Sequence, residues 1–339
     1  MSSDQRPTVL VTGGAGYIGS HAVLALSDAG WSVVAIDDLS NGRAEAVPDG
    51  VPFLQADIAD RAAVEPFLRE HAVGAIMHFA GSIVVPESVE NPLKYYGNNT
   101  IATHSLIASA VATGVRHILF SSTAATYGAP ERVPIEETDP TRPINPYGSS
   151  KLMTEVMLAD CSKAHGFNYG ALRYFNVAGA DPQLRSGQVG KGSTHLLKVA
   201  CEAAVGKRSH VDVFGTDYPT PDGTCIRDYI HVSDLAGAHV AALEALIAAP
   251  GENLTLNCGY GRGFSVLQML DALDRVNGTP VPRRVGPRRA GDPPQLVAAN
   301  RRLVERLGWS PQHDAIEHII GTALAWERRL AGREVHAPA

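Results

Sequence analysis

Residues 8–19 read TVLVTGGAGYIG and carry the strongest fold signal in the chain. A β-branched run leads into Gly13-x-x-Gly16-x-x-Gly19, and a stretch with helical spacing follows at once. A strand, a glycine-rich turn and a helix in this order let backbone N–H groups approach a pyrophosphate at the helix N-terminus. The stretch therefore predicts a dinucleotide-binding unit, whereas glycines without that context would indicate only a turn.

Two aspartates at the ends of later predicted strands concern how a nucleotide would be recognised. Asp37 ends the second predicted strand, 18 residues after Gly19. A carboxylate there accepts hydrogen bonds from both ribose hydroxyls and repels a 2′-phosphate, which favours NAD over NADP. The alternative is that Asp37 and Asp38 only cap a strand. Asp57 is placed either to reach the adenine edge or to cap its own loop, and spacing leaves both interpretations open.

The first half of the chain alternates short apolar runs with longer stretches of helical spacing. The predicted strands are TVLVT (8–12), WSVVAID (31–37), VPFLQAD (51–57), AIMHFA (75–80), HILFSST (117–123) and YGALRYFN (169–176). The helical stretches are 19–29, 60–71, 98–113 and 148–165. This alternation predicts an α/β fold of Rossmann type, a doubly wound parallel sheet with helices on both faces.

The amino-acid composition changes after about residue 178. Segments 179–192 and 215–225 are rich in Gly, Pro and Asp, and helices are predicted over 233–247, with Ser233 as N-cap, and 313–331. We expect an NAD-binding domain at 1–178 and a smaller, loop-rich substrate domain at 179–339. Residues of about 228–260 are expected to pack back on the first domain.

Composition narrows the function classes. With 339 residues, 45% hydrophobic and 19% charged, the chain suits a globular protein. A net charge of −6 argues against nucleic acid or an anionic membrane as partner, and the apolar runs are too short to span a bilayer. Four widely spaced cysteines and the lack of a secretion signal predict a cytoplasmic protein. The histidines show neither HxH nor HExxH, so no metal site is predicted.

Residues 145–151 read NPYGSSK and place Tyr147 and Lys151 one turn apart near a helix start. A free tyrosine has a pKa of about 10, but a neighbouring ammonium, an oxidised nicotinamide and the helix N-terminus favour the phenolate. Such a phenolate takes the proton from an alcohol that loses hydride. Thr123 ends a predicted buried strand, where its hydroxyl is expected to bond the phenol and a substrate oxygen. An isolated YxxxK more often marks a solvated helix face, but the three residues together predict a catalytic group.

The order of the motifs resembles the extended short-chain dehydrogenase/reductase family and, within it, the UDP-glucose (UDP-galactose) 4-epimerases. The matching motifs are TGGAGYIGSH (12–21), HFAG (78–81), YYGNN (95–99), YGSSKLMTE (147–155), LRYFNVAGA (172–180), RDYIHVSDLA (227–236) and RRAGDP (288–293). The resemblance implies reversible inversion at sugar C4 through a transient 4-keto intermediate, with NAD tightly bound throughout. It also implies Tyr147 as the base, Lys151 as the group that lowers its pKa and holds the nicotinamide ribose, and Thr123 as part of the relay.

The same resemblance implies binding residues. The cofactor positions are matched by Gly13, Gly16, Tyr17, Ile18, Gly19, Asp37, Asn41, Asp57, Ile58, Phe79, Ala80, Asn98, Tyr147, Lys151 and Phe175. The UDP-sugar positions are matched by Thr123, Asn176, His195, Leu196, Phe214, Arg227, Arg289 and Asp292. Arginine suits a diphosphate because its guanidinium fork matches phosphate oxygens, although an arbitrary arginine is usually a surface charge. His195 is equally well explained as a uridine contact or as an interior histidine, whereas His78 is expected to be an interior histidine.

Two departures leave the substrate range open. Ile83 stands where many relatives carry a lysine near the cofactor phosphates, and Leu296 stands where side-chain size decides whether an N-acetyl group fits. Acceptance of N-acetylated hexoses or pentoses is therefore not determined.

Two other functions share the predicted scaffold. A nucleotide-sugar 4,6-dehydratase places acidic residues after the strand-end threonine, where this chain has Ala124 and Ala125. A non-catalytic NAD-binding regulator would not need Tyr147 and Lys151. Whatever the activity, the predicted helices 98–113 and 148–165 carry more apolar positions than one buried stripe requires, which indicates a homodimer.

Overall fold

The computed structural model describes residues 6–189, 193–289 and 292–332. Its strands are β1 (Thr8–Thr12), β2 (Val33–Asp37), β3 (Phe53–Gln55), β4 (Val73–His78), β5 (His117–Thr123), β6 (Asn168–Tyr174), β7 (Asn176–Ala178), β8 (Val211–Phe214), β9 (Ile226–His231), β10 (Leu254–Cys258), β11 (Gly263–Ser265), β12 (Arg283–Gly286) and β13 (Gln295–Leu296). Its helices are α1 (Tyr17–Asp28), α2 (Arg61–Glu70), α3 (Val85–Glu90), α4 (Pro92–Tyr95), α5 (Ala102–Thr113), α6 (Pro146–His165), α7 (Leu196–Ala204), α8 (Val232–Ala248), α9 (Val266–Asn277), α10 (Arg301–Leu307) and α11 (Ile316–Leu330).

Seven parallel strands form the central sheet in the order β10-β6-β5-β4-β1-β2-β3. The predicted α/β fold of Rossmann type is therefore confirmed. The chain adds β2 and β3 on one side of β1 and then crosses to add β4, β5 and β6 on the other. A crevice opens at the carboxyl ends of the strands where the order reverses, and ligands of such sheets bind there.

Both faces of the sheet are buried, which explains why its strands are apolar without a polar face. Along β1, Val9 and Val11 pack with Leu26 and Leu243, whereas Leu10 packs with Phe120 in a separate cluster. Each fully buried side chain of this size contributes about 1.5–3 kcal/mol relative to exposure. The two clusters hold the carboxyl ends of the strands in fixed relative positions.

A second group of elements follows β6. Strand β9 pairs with β7, β11 and β13, β8 pairs with β12, and α7, α9 and α11 enclose a third apolar cluster. However, β10 pairs with β6 in the large sheet, and Leu235 and Leu243 of α8 belong to the same cluster as Val9. The chain thus returns to the first sheet within 228–260, while the boundary at residue 178 stays a prediction.

Three local predictions differ from the structure. The run 169–176 is not one strand, because it breaks at Phe175 into β6 and β7. The stretch predicted as helix 98–113 begins within a π-helical turn, Tyr96–Ile101, before α5. Ser233 is not the N-cap of α8: Nδ1 of His231 accepts the Ser233 N–H at 3.1 Å and caps the helix two residues earlier.

Two further findings complete the comparison with the sequence. In the part of the chain that the structure covers, no helix is long and apolar enough to cross a membrane. Residues 190–192 of the predicted loop and residues 290–291 of RRAGDP lie outside the described residues.

Candidate active site

The glycine loop joins β1 to α1 at the crevice. Gly13 has a φ of +67°, which favours glycine, and a Cβ there would lie 2.7 Å from the backbone nitrogen of Ala80. A Cβ on Gly19 would lie 2.0 Å from the carbonyl oxygen of Gly13. Gly16 is the N-cap of α1 and offers no side chain to the N–H groups of the first turn. The loop therefore forms a backbone cradle that suits an anion.

Asp37 lies at the end of β2, beside this cradle. Its carboxylate accepts hydrogen bonds from the backbone N–H groups of Ala15 at 3.1 Å and Leu39 at 2.8 Å. Burial raises the pKa of Asp37, and the bond from Leu39 opposes the rise. Asp57 is exposed and accepts the N–H of Ala59 at 2.8 Å, which is the contact expected of a loop cap.

The remaining predicted cofactor positions surround the same edge of the sheet. The hydroxyl of Tyr17 donates to the carbonyl of Gly179 at 2.7 Å, and Ile18 lines the large cleft described below. Ile58 is buried in the core beside β2, and Asn41 is exposed in the loop after β2. Tyr17 thus connects α1 to the segment that follows β7.

Three more of these positions lie near the end of β4. Phe79 and Ala80 follow the strand directly, and the N–H of Ala80 donates to the Thr12 hydroxyl at 3.3 Å. The Asn98 side chain, from the π-helical turn, donates to the Ser82 hydroxyl at 2.9 Å. The structure therefore brings the HFAG and YYGNN motifs together.

Tyr147 and Lys151 lie in the first two turns of α6. The side chain of Asn145 caps the helix by accepting the Gly148 N–H at 2.8 Å, and Pro146 occupies the first helical position. The Lys151 ammonium is buried and donates to the carbonyl of Ser121 in β5 at 3.1 Å. The start of α6 is thus fixed against the end of β5.

Thr123 ends β5 and lies next to the phenol. Its hydroxyl accepts the Ala125 N–H at 3.1 Å, and Thr123 and Tyr147 line the same cleft. Burial raises the pKa of Tyr147 and the Thr123 side chain opposes the rise, while burial lowers the pKa of Lys151 to about 8. The sequence predicted a lowered pKa for the Tyr147 phenol. The protein groups alone do not produce it, because desolvation of the phenolate outweighs their effect.

A cleft of about 230 Å³ opens beside these hydroxyls. Thr123, Tyr147 and Phe175 line it at the end of β5 and β6, and Asn176, His195 and Leu196 line it farther along. Its walls also include Ile83, which is 51% exposed, and Leu296 of β13. Seven of the predicted site residues thus meet one cavity: Ile18, Thr123, Tyr147, Phe175, Asn176, His195 and Leu196.

Four more predicted substrate residues lie on β8, on β9 and in the segment between β12 and β13. Arg227 of β9 is 8% exposed, and its guanidinium pairs with Asp292 at 2.9 Å. It lies opposite Leu296 in the β9–β13 register, which places it beside the cleft wall. Arg289 is exposed, and its guanidinium carbon lies 3.9 Å from the centre of the Phe214 ring. The four residues form two pairs, Arg227 with Asp292 and Arg289 with Phe214.

The two histidines have different surroundings. His78 lies between the hydroxyls of Thr12 at 2.7 Å and Thr103 at 2.8 Å, and burial lowers its pKa to about 3. It is the interior histidine that the sequence predicted. His195 lines the cleft and lies 3.1 Å from the Gln188 amide, and burial lowers its pKa as well. A neutral imidazole at the cleft wall is compatible with either interpretation of His195.

Two residues at the site, Asn99 and Trp326, were not predicted from the sequence. Asn99 accepts the Ser82 N–H at 2.7 Å and donates to the Ser150 hydroxyl at 3.0 Å, so it joins the loop after β4 to α6. The adjacent asparagine in YYGNN was the only sequence signal for it. Trp326 of α11 lines the far end of the cleft and donates to the Gln188 carbonyl at 3.2 Å. No local pattern marks this contact, since 138 residues separate its partners.

Comparisons with known proteins agree with this geometry. A model of the "NAD dependent epimerase/dehydratase family" matches residues 9–259. A UDP-glucose 4-epimerase of Azospirillum brasilense is 58% identical over 96% of this chain and 93% of that protein. The crystal structure of a Brucella ovis UDP-glucose 4-epimerase in complex with NAD superposes with a TM-score of 0.92 at 45% identity, covering 98% of this chain and 100% of that one. A Stenotrophomonas maltophila UDP-glucose 4-epimerase, crystallised with NAD and formylated UDP-arabinopyranose, gives a TM-score of 0.93 at 38% identity over 96% and 99% of the two chains. The chain belongs to the NAD-dependent epimerase/dehydratase family.

Proposed function

We propose that the protein is a UDP-glucose 4-epimerase, which interconverts UDP-glucose and UDP-galactose with NAD as a tightly bound cofactor. The observation that carries the proposal is the joint placement of the Tyr147 and Thr123 hydroxyls at one cleft, with the Lys151 ammonium fixed behind them. Full-length similarity to UDP-glucose 4-epimerases supports it. Residues 1–178 would mainly bind NAD and residues 179–339 mainly the UDP-sugar.

The residues present suit NAD. A side chain at Gly13 or Gly19 would fill the backbone cradle, and the Asp37 carboxylate beside it matches a ribose with free hydroxyls. Asn41, Asp57, Phe79, Asn98 and the other matched positions supply the rest of the binding surface. When bound, NAD would supply a hydride acceptor and donor for C4 of the sugar, and its positive ring would favour the Tyr147 phenolate.

Tyr147 and its neighbours handle the proton. The phenolate oxygen of Tyr147 removes the proton of the sugar 4-hydroxyl, and the Thr123 hydroxyl donates to the developing alkoxide or to the phenol. Lys151 stays mostly protonated at neutral pH, because its pKa is about 8. The ammonium therefore stabilises the phenolate by charge, and it is fixed through the Ser121 carbonyl. The proton returns from Tyr147 to the 4-oxygen when the sugar carbon is reduced again.

The UDP part of the substrate is assigned to the second group of strands. Arg227 and Arg289 offer guanidinium groups to the diphosphate, and Asn176 and Asp292 offer an amide and a carboxylate to phosphate and ribose hydroxyls. His195, Leu196 and Phe214 surround the uracil. Leu296 gives the sugar end an apolar wall, and turnover of N-acetylated and pentose substrates measures the size limit there.

Two other functions compete on this scaffold, and one experiment separates them. Ala124 and Ala125 follow Thr123 on the cleft wall, where a 4,6-dehydratase needs an acid for water loss. The purified protein is incubated with UDP-galactose and no added NAD, and the UDP-sugars are resolved. UDP-glucose supports the epimerase, a 4-keto-6-deoxy product shows a dehydratase, and no turnover favours a regulator. The variant Tyr147→Phe controls for contaminating activity.

The homodimer is part of the proposal. The stretches 98–113 and 148–165, which would pair, expose large apolar side chains at Ile101, Met153 and Val156. Such a surface on neighbouring helices fits a second copy of the chain. A cytoplasmic location is also proposed, and the four free cysteines suit a reducing compartment.

A further inference from the structure

A buried ion pair lies behind the candidate catalytic residues. The carboxylate of Glu155 in α6 accepts two hydrogen bonds from the Arg173 guanidinium of β6, at 2.9 Å from Nε and 2.5 Å from a terminal nitrogen. The two side chains are only 9% and 8% exposed. Glu155 also accepts the Ser122 hydroxyl at 2.5 Å. The carboxylate therefore joins α6 to both β5 and β6.

The guanidinium extends the connection to two more segments. Arg173 donates to the Tyr127 hydroxyl at 3.0 Å, and that hydroxyl donates to the Asn257 side-chain oxygen of β10 at 2.7 Å. The same guanidinium lies 4.9 Å from the centre of the Tyr127 ring. Tyr127 ends the 3-10 turn that begins directly after Thr123. The network thus includes Ser122, which directly precedes Thr123, and Tyr127, which follows it at the end of the turn.

Glu155 shares a helix face with the candidate catalytic residues. Tyr147, Lys151 and Glu155 are four residues apart in α6, so their side chains point the same way, and all three are buried. Two of them are bonded to the end of β5, Glu155 to Ser122 and Lys151 to Ser121, and Tyr147 lines the same cleft as Thr123, the last residue of β5. Only the Glu155 attachment also involves a bidentate ion pair.

We infer that Glu155 and Arg173 are positioning residues for the proposed epimerase reaction, on which this inference rests: they hold the Tyr147 and Lys151 face of α6 at a fixed place relative to Thr123. A buried ion pair gains little net stability over apolar packing, because its desolvation offsets its attraction. Its directional bonds do restrict how a helix slides or rotates. Displacements of about 1 Å at reacting groups lower rates by about a hundredfold, so such a restraint matters for proton transfer.

The test uses the full-length holoenzyme and the variant Glu155→Gln, which keeps the shape of the side chain and removes its charge. We expect kcat for UDP-galactose to fall at least about tenfold while KM stays within about threefold. The second readout is the Tyr147 titration, followed by phenolate absorbance against the same protein carrying Tyr147→Phe. Loss of the Glu155 charge, by itself, lowers the phenol pKa, whereas loss of alignment with Thr123 and Lys151 raises it. We expect the pKa of Tyr147 to rise in Glu155→Gln.

Two more variants complete the design. Arg173→Lys keeps the positive charge and loses the bidentate guanidinium, so its kcat should fall less than that of Glu155→Gln. If Glu155→Gln does not fold, the kcat and Tyr147 pKa of Arg173→Lys test the positioning role by the same criteria. Asp181→Asn is the matched control: Asp181 is a buried carboxylate held by Arg185 at 2.9 Å from two guanidinium nitrogens. It should lose stability and keep kcat within about twofold.

The outcomes separate the two proposals. If the wild-type holoenzyme does not convert UDP-galactose to UDP-glucose, the proposed function is wrong whatever the variants do. If it does, and folded Glu155→Gln keeps kcat within about twofold or lowers the Tyr147 pKa, the positioning role is wrong and the function stands.

Discussion

Replacing Tyr147 by phenylalanine removes one hydroxyl and little else. The ring is 8% exposed and packs edge-on to Tyr95 with the ring centres 6.4 Å apart, and phenylalanine keeps that packing. A general base contributes about 10²–10⁴ to a rate, which is roughly 2.7–5.5 kcal/mol of barrier. We therefore expect kcat for UDP-galactose to fall by about 10²–10⁴, with retained NAD unchanged, because the hydroxyl acts on the substrate.

Tyr95 provides a matched control in the same region. Its hydroxyl donates to the Val84 carbonyl at 2.6 Å and to the Glu87 carboxylate at 2.9 Å. Tyr95→Phe removes these part-buried hydrogen bonds and should cost about 0.5–1.5 kcal/mol of unfolding free energy, while kcat of the folded protein stays within about threefold. Tyr147→Phe should show the reverse, a loss of rate with little loss of stability.

The assay follows UDP-glucose formed from UDP-galactose, and urea unfolding supplies the stabilities. If Tyr147→Phe keeps more than about a tenth of the wild-type rate, equivalent to about 1.4 kcal/mol, Tyr147 is not the base. An equal loss of rate in both variants would show that the effect is structural.

Four further predictions concern binding, stability and assembly. Arg227→Gln should raise KM for UDP-galactose and the dissociation constant of UDP about tenfold or more, because hydrogen bonds to charged groups contribute about 1.5–3 kcal/mol. An unchanged UDP affinity contradicts the role of Arg227 in binding the diphosphate. Asp37→Asn should raise the share of NADP retained from an equal mixture with NAD, measured by mass spectrometry; an unchanged ratio argues against the ribose contact. Lys151 has a pKa of about 8 when folded and 10.5 when unfolded, so the unfolded chain binds more protons between these values. Wild-type stability relative to Lys151→Met should then increase from about pH 8 to 10.5, by up to about 3 kcal/mol in urea unfolding, and a flat difference contradicts the burial of the ammonium. Val156→Glu, on a helix that is proposed to pair, should convert the proposed dimer to a monomer in sedimentation, and a wild-type monomer refutes the pairing.

The sheet and the glycine loop were predictable because their signals are local. Apolar runs such as HILFSST mark strands buried on both faces, and Gly13 and Gly19 reflect contacts within one strand–turn–helix unit. Tyr147 and Lys151 were predictable for the same reason, since helical spacing alone places them on one face of α6.

Other features depend on contacts between distant parts of the chain. Glu155 and Arg173 look like ordinary helix and strand residues until β6 is placed beside β5 and under α6. Ser233 resembles an N-cap, but the ring nitrogen of His231 takes that role. The pKa of Tyr147 depends on burial, which no spacing reveals. Burial raises it, whereas the sequence predicted a lower value from a neighbouring ammonium, an oxidised nicotinamide and the helix N-terminus.

In the proposed reaction, the hydrogen on sugar C4 leaves and returns inside one closed site while Tyr147 handles only the hydroxyl proton. An isotope measurement tests it most directly. UDP-galactose carrying deuterium at C4 is incubated in ordinary water together with undeuterated, carbon-13-labelled UDP-galactose, and the products are analysed by mass spectrometry. We expect UDP-glucose to keep deuterium at C4 and none of it to pass to the carbon-13-labelled molecules. Replacement of the deuterium by solvent hydrogen, or its transfer between molecules, would contradict it.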